Sequence, residues 1–136
     1  MRKVIALIAV LALVGVTGCA GEYKPDPHDE YAKQVNVVES NFANQINTLA
    51  LRITPTSTKS QDNQTLEQIK LTVVQTAGKL AAIKVPEDVA TEHTLLVKQL
   101  QAYAQSIDPK VGDLSAVTKA QAAQVEAAIN SLNAKL

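Results

Sequence analysis

Asp29-Glu30-Tyr31-Ala32-Lys33-Gln34-Val35-Asn36-Val37-Val38-Glu39-Ser40-Asn41-Phe42-Ala43-Asn44-Gln45-Ile46-Asn47-Thr48-Leu49-Ala50-Leu51-Arg52-Ile53 is the stretch from which the fold can be read. Tyr31, Val35, Val38, Phe42, Ile46, Leu49 and Ile53 recur at steps of four, three, four, four, three and four, which places them on one face of an α-helix and on no face of a strand. The spacing predicts an amphipathic helix of about six turns. Asp26 followed by Pro27 fits an N-cap with proline at the first helical position, and Asp29 and Glu30 put negative charge where the helix dipole favours it. Pro55 ends the helix, because its ring disfavours helical geometry in the residue before it.

Outward from this helix the chain repeats the same kind of pattern. Residues 54–65 hold no aliphatic side chain and read as a solvated loop ending in helix-start chemistry, with Ser60, Asp62 and Thr65 competing for the cap and Thr65 with Gln68 fitting a capping box. The second helix carries Leu66, Ile69, Val73, Leu80 and Ile83, with Thr76 in the stripe and Val74, Ala77 and Ala81 widening it. Gly78 inside that helix costs about 1 kcal/mol against alanine, a cost either simply tolerated or, the slightly preferred reading, accounted for by close approach of a neighbouring helix. After a break at Val85-Pro86 a third stripe follows: Val89, His93, Leu96, Leu100, Tyr103 and Ile107. So short a turn implies that the second and third helices are antiparallel neighbours.

Asp108-Pro109 to Asp113 breaks the chain again, and Asp113 or Ser115 can cap a fourth helix bearing Leu114, Val117, Val125, Ala128, Ile129, Leu132 and Leu136. Alanines and glutamines between Val117 and Val125 leave its seam thin. Four amphipathic stripes without strand-type alternation predict an all-α, up-down-up-down four-helix bundle over residues 29–136. Its core should include Phe42, Leu49, Val73, Leu80, Leu96, Leu100 and Leu132. With one Phe, three Tyr and no Trp, that core must be aliphatic and alanine-rich.

The N-terminus fixes an address. Arg2 and Lys3 precede the apolar run Val4–Val14, too short for a hydrocarbon layer about 30 Å thick, so residues 1–18 read as a cleaved signal. Val16-Thr17-Gly18-Cys19, with the chain's one cysteine, closely resembles the lipobox of bacterial lipoproteins. The resemblance implies cleavage before Cys19, a diacylglycerol thioether and palmitate-type acyl chains on Cys19, and residence in the cell envelope. Ala20 is not an aspartate of the inner-membrane retention type, so the outer membrane is the expected site in a cell with two. Two or three acyl chains would hold such a protein firmly, where one chain binds marginally. Residues 19–28 then form a lipidated tether, and the seven steps from Cys19 to Asp26 reach at most about 25 Å. Val85-Pro86-Glu87-Asp88 through His93 and Leu96 loosely resembles small exported helical lipoproteins, a resemblance that brings no function with it. Murein-linked helical lipoproteins end in lysine; here Lys135 is penultimate, so wall attachment by that route is not expected.

Composition and motifs exclude more than they assign. Beyond Arg2 and Lys3, 11 basic residues face 13 acidic ones, a balance unsuited to nucleic acid or to a polybasic lipid-binding face. Haem ligation lacks both Cys-x-x-Cys-His and any methionine beyond Met1. Nucleophile elbows and phosphate-cradling glycine loops are absent from the sequence, and the pairs Asp29-Glu30 and Glu87-Asp88 are explained as helix openings. No cofactor and no enzymatic activity are expected. His93 has Val89, Ala90, Leu96 and Val97 as its helical neighbours, so it reads as a structural histidine before a metal ligand. His28 and Asp26 could form only a weak surface metal cluster. Gln34, Asn36, Asn41, Asn44, Gln45 and Asn47 flank the first stripe, either as an uncharged solvated face or as a sugar- or partner-binding one.

The expected function is that of a non-enzymatic, membrane-anchored module that binds an envelope protein or the cell wall. The alternative is a small-ligand or metal carrier in which His93, Thr76 and Tyr103 supply the polar groups of an interhelical pocket.

Overall fold

The computed structural model describes residues 26–111 and 116–136. It is an all-α four-helix bundle of α1 (Pro27–Ala50), α2 (Lys59–Ala81), α3 (Ala90–Ser106) and α4 (Ala116–Asn133), with 3-10 turns at Glu87–Val89 and Pro109–Val111. Asp26 caps α1 as the sequence indicates, its carboxylate accepting from the His28 backbone N–H at 3.0 Å with Pro27 in the first turn. The Cys19 lipid site, the signal and the tether up to residue 25 lie outside the described residues, as do Asp113, Leu114 and Ser115.

Side-chain links fix the direction of every helix. Arg52 reaches Gln68 across the first turn, Lys70 on α2 donates to the Ile107 carbonyl at the far end of α3, and Thr118 near the start of α4 donates to the Ser106 carbonyl. At the other end Lys135 pairs with Glu92 at 2.7 Å and His28 with Asp88 at 3.1 Å. The helices therefore alternate in direction. The closest backbone approaches are between helices adjacent in the chain, and α1 leans chiefly on α2. It meets α3 and α4 through long side chains, Tyr31 to His93 and Glu39 to Asn133.

One contiguous cluster makes the core, and all seven residues expected there, Phe42, Leu49, Val73, Leu80, Leu96, Leu100 and Leu132, are buried in it. Its only large aromatic members are Tyr31, Phe42 and Tyr103, so aliphatic burial at about 25 cal/mol per Å² supplies most of the stabilisation.

Four expectations need correction. The second helix starts earlier than Ser60, Asp62 or Thr65 would place it, by two residues against the first and seven against the last: Thr58 caps the Gln61 N–H while the Gln61 side chain caps the Thr58 N–H. The Thr-x-x-Gln pattern occurs twice in this region, and the earlier copy wins because it lets Asp62 and Thr65 face inward, where both are buried. Val74 and Ala81 are exposed and do not widen the α2 stripe, since packing on α1 and α3 uses the narrower face through Val73, Ala77 and Leu80. Gly78 is not a close-approach site, because a Cβ built there meets nothing within 4 Å. Leu136 is exposed past the end of α4, where the last described turn has no neighbour to bury it. The thin seam of α4 is filled instead by Thr118, buried with its hydroxyl on Ser106 at 2.7 Å.

Candidate functional site

Polar side chains gather in two places. The first is an open groove between the C-terminal half of α1 and the N-terminal half of α2. One compartment, about 420 Å³, is lined by Asn44, Gln45, Thr48, Leu49, Arg52, Gln68, Leu71 and Thr72. Over the turn it continues into a second of about 500 Å³ lined by Thr54, Thr56, Ser57, Gln61, Gln64 and Thr65, again with Arg52 and Gln68. The hydrogen bond from Arg52 Nη1 to Gln68 Oε1, 3.0 Å, marks the junction. Local chemistry builds the walls. The Ser57 hydroxyl accepts from the Thr54 N–H at 2.9 Å and lies within reach of both the Thr54 carbonyl, at 2.7 Å, and the Asp62 carboxylate. That knot holds the turn against the start of α2. Arg52 is the only lining group that carries a charge.

The second place is buried between α1, α3 and α4. The Tyr31 hydroxyl and His93 Nδ1 are 2.8 Å apart, with the rings tilted by 58°. His93 Nε2 has no partner of hydrogen-bonding geometry, and burial holds the imidazole pKa below its usual value, with the Leu80 backbone acting the other way. Burial first, and then the Glu39 carboxylate, push the Tyr31 phenol up to about 12. Glu39 itself is only 4% exposed; Asn133 Nδ2 approaches its Oε2 at 3.4 Å, while Oε1 has no partner. Burial pushes its carboxyl up to about 7, and the Asn133 amide counters only part of that. Nearer the surface Lys135 holds Glu92 below the usual carboxylate range.

This arrangement does not assemble a reaction centre. Catalysis by proton transfer needs a base, an orienting group and a stabiliser converging on one reachable atom. Here Glu39 faces Asn133 and His93 faces Tyr31, and with Tyr31 2% and His93 5% exposed the pair is closed to a substrate. Among the described residues no three His, Cys, Asp or Glu side chains come together as a metal site.

The residues singled out in the sequence are scattered. Thr76 donates to the Thr72 carbonyl of its own helix at 2.8 Å, His93 binds Tyr31, and Tyr103 stands ten residues further along α3, about 15 Å at 1.5 Å per residue. None of the three lines either compartment of the groove. The His28 ring turns to Asp88, while Asp26 serves as the cap. All six amides of α1 are exposed, and of these Asn44 and Gln45 reach the groove. Glu39 carried a signal that the stripe concealed: it is four residues after Val35 and three before Phe42, hence on the buried face. In the groove, Asn44 and Gln45 carried a signal as part of the amide-rich face of α1, whereas the loop compartment carried none, because it depends on where α2 begins.

No family model, no curated protein and no solved structure matches the chain. Among the described residues no helix is long and apolar enough to cross a membrane.

Proposed function

We propose that the protein is a lipid-anchored lipoprotein of the bacterial cell envelope, held by acyl chains on Cys19, that acts without catalysis as an interaction module for the wall or an envelope protein. The observation that carries this reading is the position of the groove. The α1 N-terminus lies at one end of the bundle, with His28 beside Asp88, whereas the groove runs along the C-terminal half of α1 and over the opposite end. A helix of 24 residues is about 36 Å long, so the groove end is separated by about that length from the helix end to which an anchor at Cys19 leads. The lipobox Val16-Thr17-Gly18-Cys19 supports the anchor, and the exposed amides and hydroxyls support an adhesive surface in place of a reactive one.

Two measurements test the reading. Mass spectrometry of the mature N-terminus should find an acylated Cys19; a free thiol there, or cleavage elsewhere, removes the anchor. A photo-crosslinker at Gln45 should capture envelope material in intact cells, while one at Glu126, exposed on α4, should not; equal capture from both refutes the groove as the contact face.

A further inference from the structure

The groove's chemistry narrows what it can hold. Its two compartments fall within the range of about 300–1,000 Å³ typical of small-ligand sites, and together they suit a short oligomer more than a monomer. The lining side chains are mostly amides and hydroxyls, groups that donate and accept at once and so match a polyhydroxylated ligand bearing acetamido groups, although the surface they show in the first compartment is mainly apolar. That apolar surface, with Leu49 and Leu71 in the wall, can take the apolar face of a sugar ring or an acetamido methyl, while the loop compartment offers mainly polar surface. A single cation cannot neutralise a run of phosphates, so nucleic acid does not fit. Arg52 uses one N–H on Gln68, which leaves four of the guanidinium's five donors for a planar, bidentate acid group. No lining carboxylate competes for it.

We propose that this groove binds an acidic amino-sugar glycan, with the ligand's carboxylate on Arg52, its acetamido methyl against Leu71 and its hydroxyls on the loop compartment. The proposal rests on the groove being the contact face and adds the class of ligand. It gives Arg52 the discriminating role and Gln68 the task of holding the guanidinium in plane, while the amides at Asn44 and Gln45 read the acetamido group.

The test uses the full chain extracted from envelopes in detergent, titrated with the disaccharide of N-acetylglucosamine and N-acetylmuramic acid, with its methyl ester and with neutral di-N-acetylchitobiose, and followed by backbone amide NMR shifts. The acidic disaccharide should bind at least tenfold more tightly than either neutral one and move the signals of Arg52, Gln68 and Leu71. Arg52→Gln should erase that preference, and Arg52→Lys should restore part of it, which a merely unfolded variant would not do. Equal affinity for acid and ester, shifts confined to other helices, or no binding at millimolar sugar overturns the proposal. If sugar binding fails while Gln45 still cross-links to an envelope protein, the glycan is overturned and the groove stands; if both fail, both readings fall.

Discussion

Around the first half of α1, Tyr31, Glu39 and His93 are shut inside the bundle with acceptors and donors left over, whereas around its second half Arg52 and most of the amides and hydroxyls stand open to solvent, Thr65 and Thr72 being buried. The physical consequences are opposite. A buried polar atom without a partner costs about 1–3 kcal/mol, and a buried carboxylate more, so the first region strains the fold. Solvated amides and hydroxyls cost close to nothing and keep their hydrogen-bonding capacity for a ligand. Polar residues in the interior thus explain how α1 is seated, and those in the groove explain what the surface can recognise.

The aliphatic core common to both regions sets the scale. Leu100, 1% exposed in the middle of α3, should cost about 2–5 kcal/mol when cut to alanine, as large-to-small changes in packed cores do. Urea unfolding measures it. A loss under about half a kcal/mol would place Leu100 outside the shared core and break the premise that both regions rest on one cluster.

The next effect distinguishes the regions directly. Glu39 titrates at about 7 in the folded chain against 4.5 for an unperturbed glutamate. Below pH about 4.5 it is protonated in both states and contributes no pH-dependent term. Between 4.5 and 7 the unfolded chain releases the proton while the folded one retains it, so the unfolded state binds fewer protons and stability falls as pH rises. Above 7 the penalty is constant, on the order of 3 kcal/mol from about 1.4 kcal/mol per pH unit. The Asn133 amide, which lowers the Glu39 carboxyl, is already included in that value of about 7. Glu39→Gln should therefore stabilise the bundle by about 2–3 kcal/mol at pH 8 and hardly at all at pH 4. The same gain at both values would show that solvent reaches Glu39 and that the interior resembles the groove.

Legibility in the sequence follows the same division. The core stripes were readable because a helix converts spacing directly into a face, and Phe42, Leu49, Leu96 and Leu132 fall where that spacing puts them. Tyr31 and His93 could each be placed on a seam, but their hydrogen bond joins residues 62 apart and depends on how α1 and α3 dock. The loop compartment of the groove was illegible for a more local reason. Thr58–Gln61 and Thr65–Gln68 offer the same cap chemistry, and only the packing of Asp62 and Thr65 chooses between them. With the later cap, Gln61 and Gln64 would belong to a loop instead of lining the site.

The smallest effect examines the outer face of α2 that links the two regions. Gly78 follows Leu71 by seven residues, two turns along one exposed face of α2 and beyond the groove. Space for a side chain is available there, since a Cβ meets nothing within 4 Å. Glycine in a helix interior loses more backbone freedom on folding than alanine and contributes no packing in return. Gly78→Ala should raise stability by about 1 kcal/mol, seen as a shift of the urea midpoint with an unchanged slope. It should also leave disaccharide binding untouched, because Gly78 lines neither compartment. A destabilising alanine would mean that something packs on this face after all, such as a second copy of the chain, and the groove would then end at an interface instead of running open along α2.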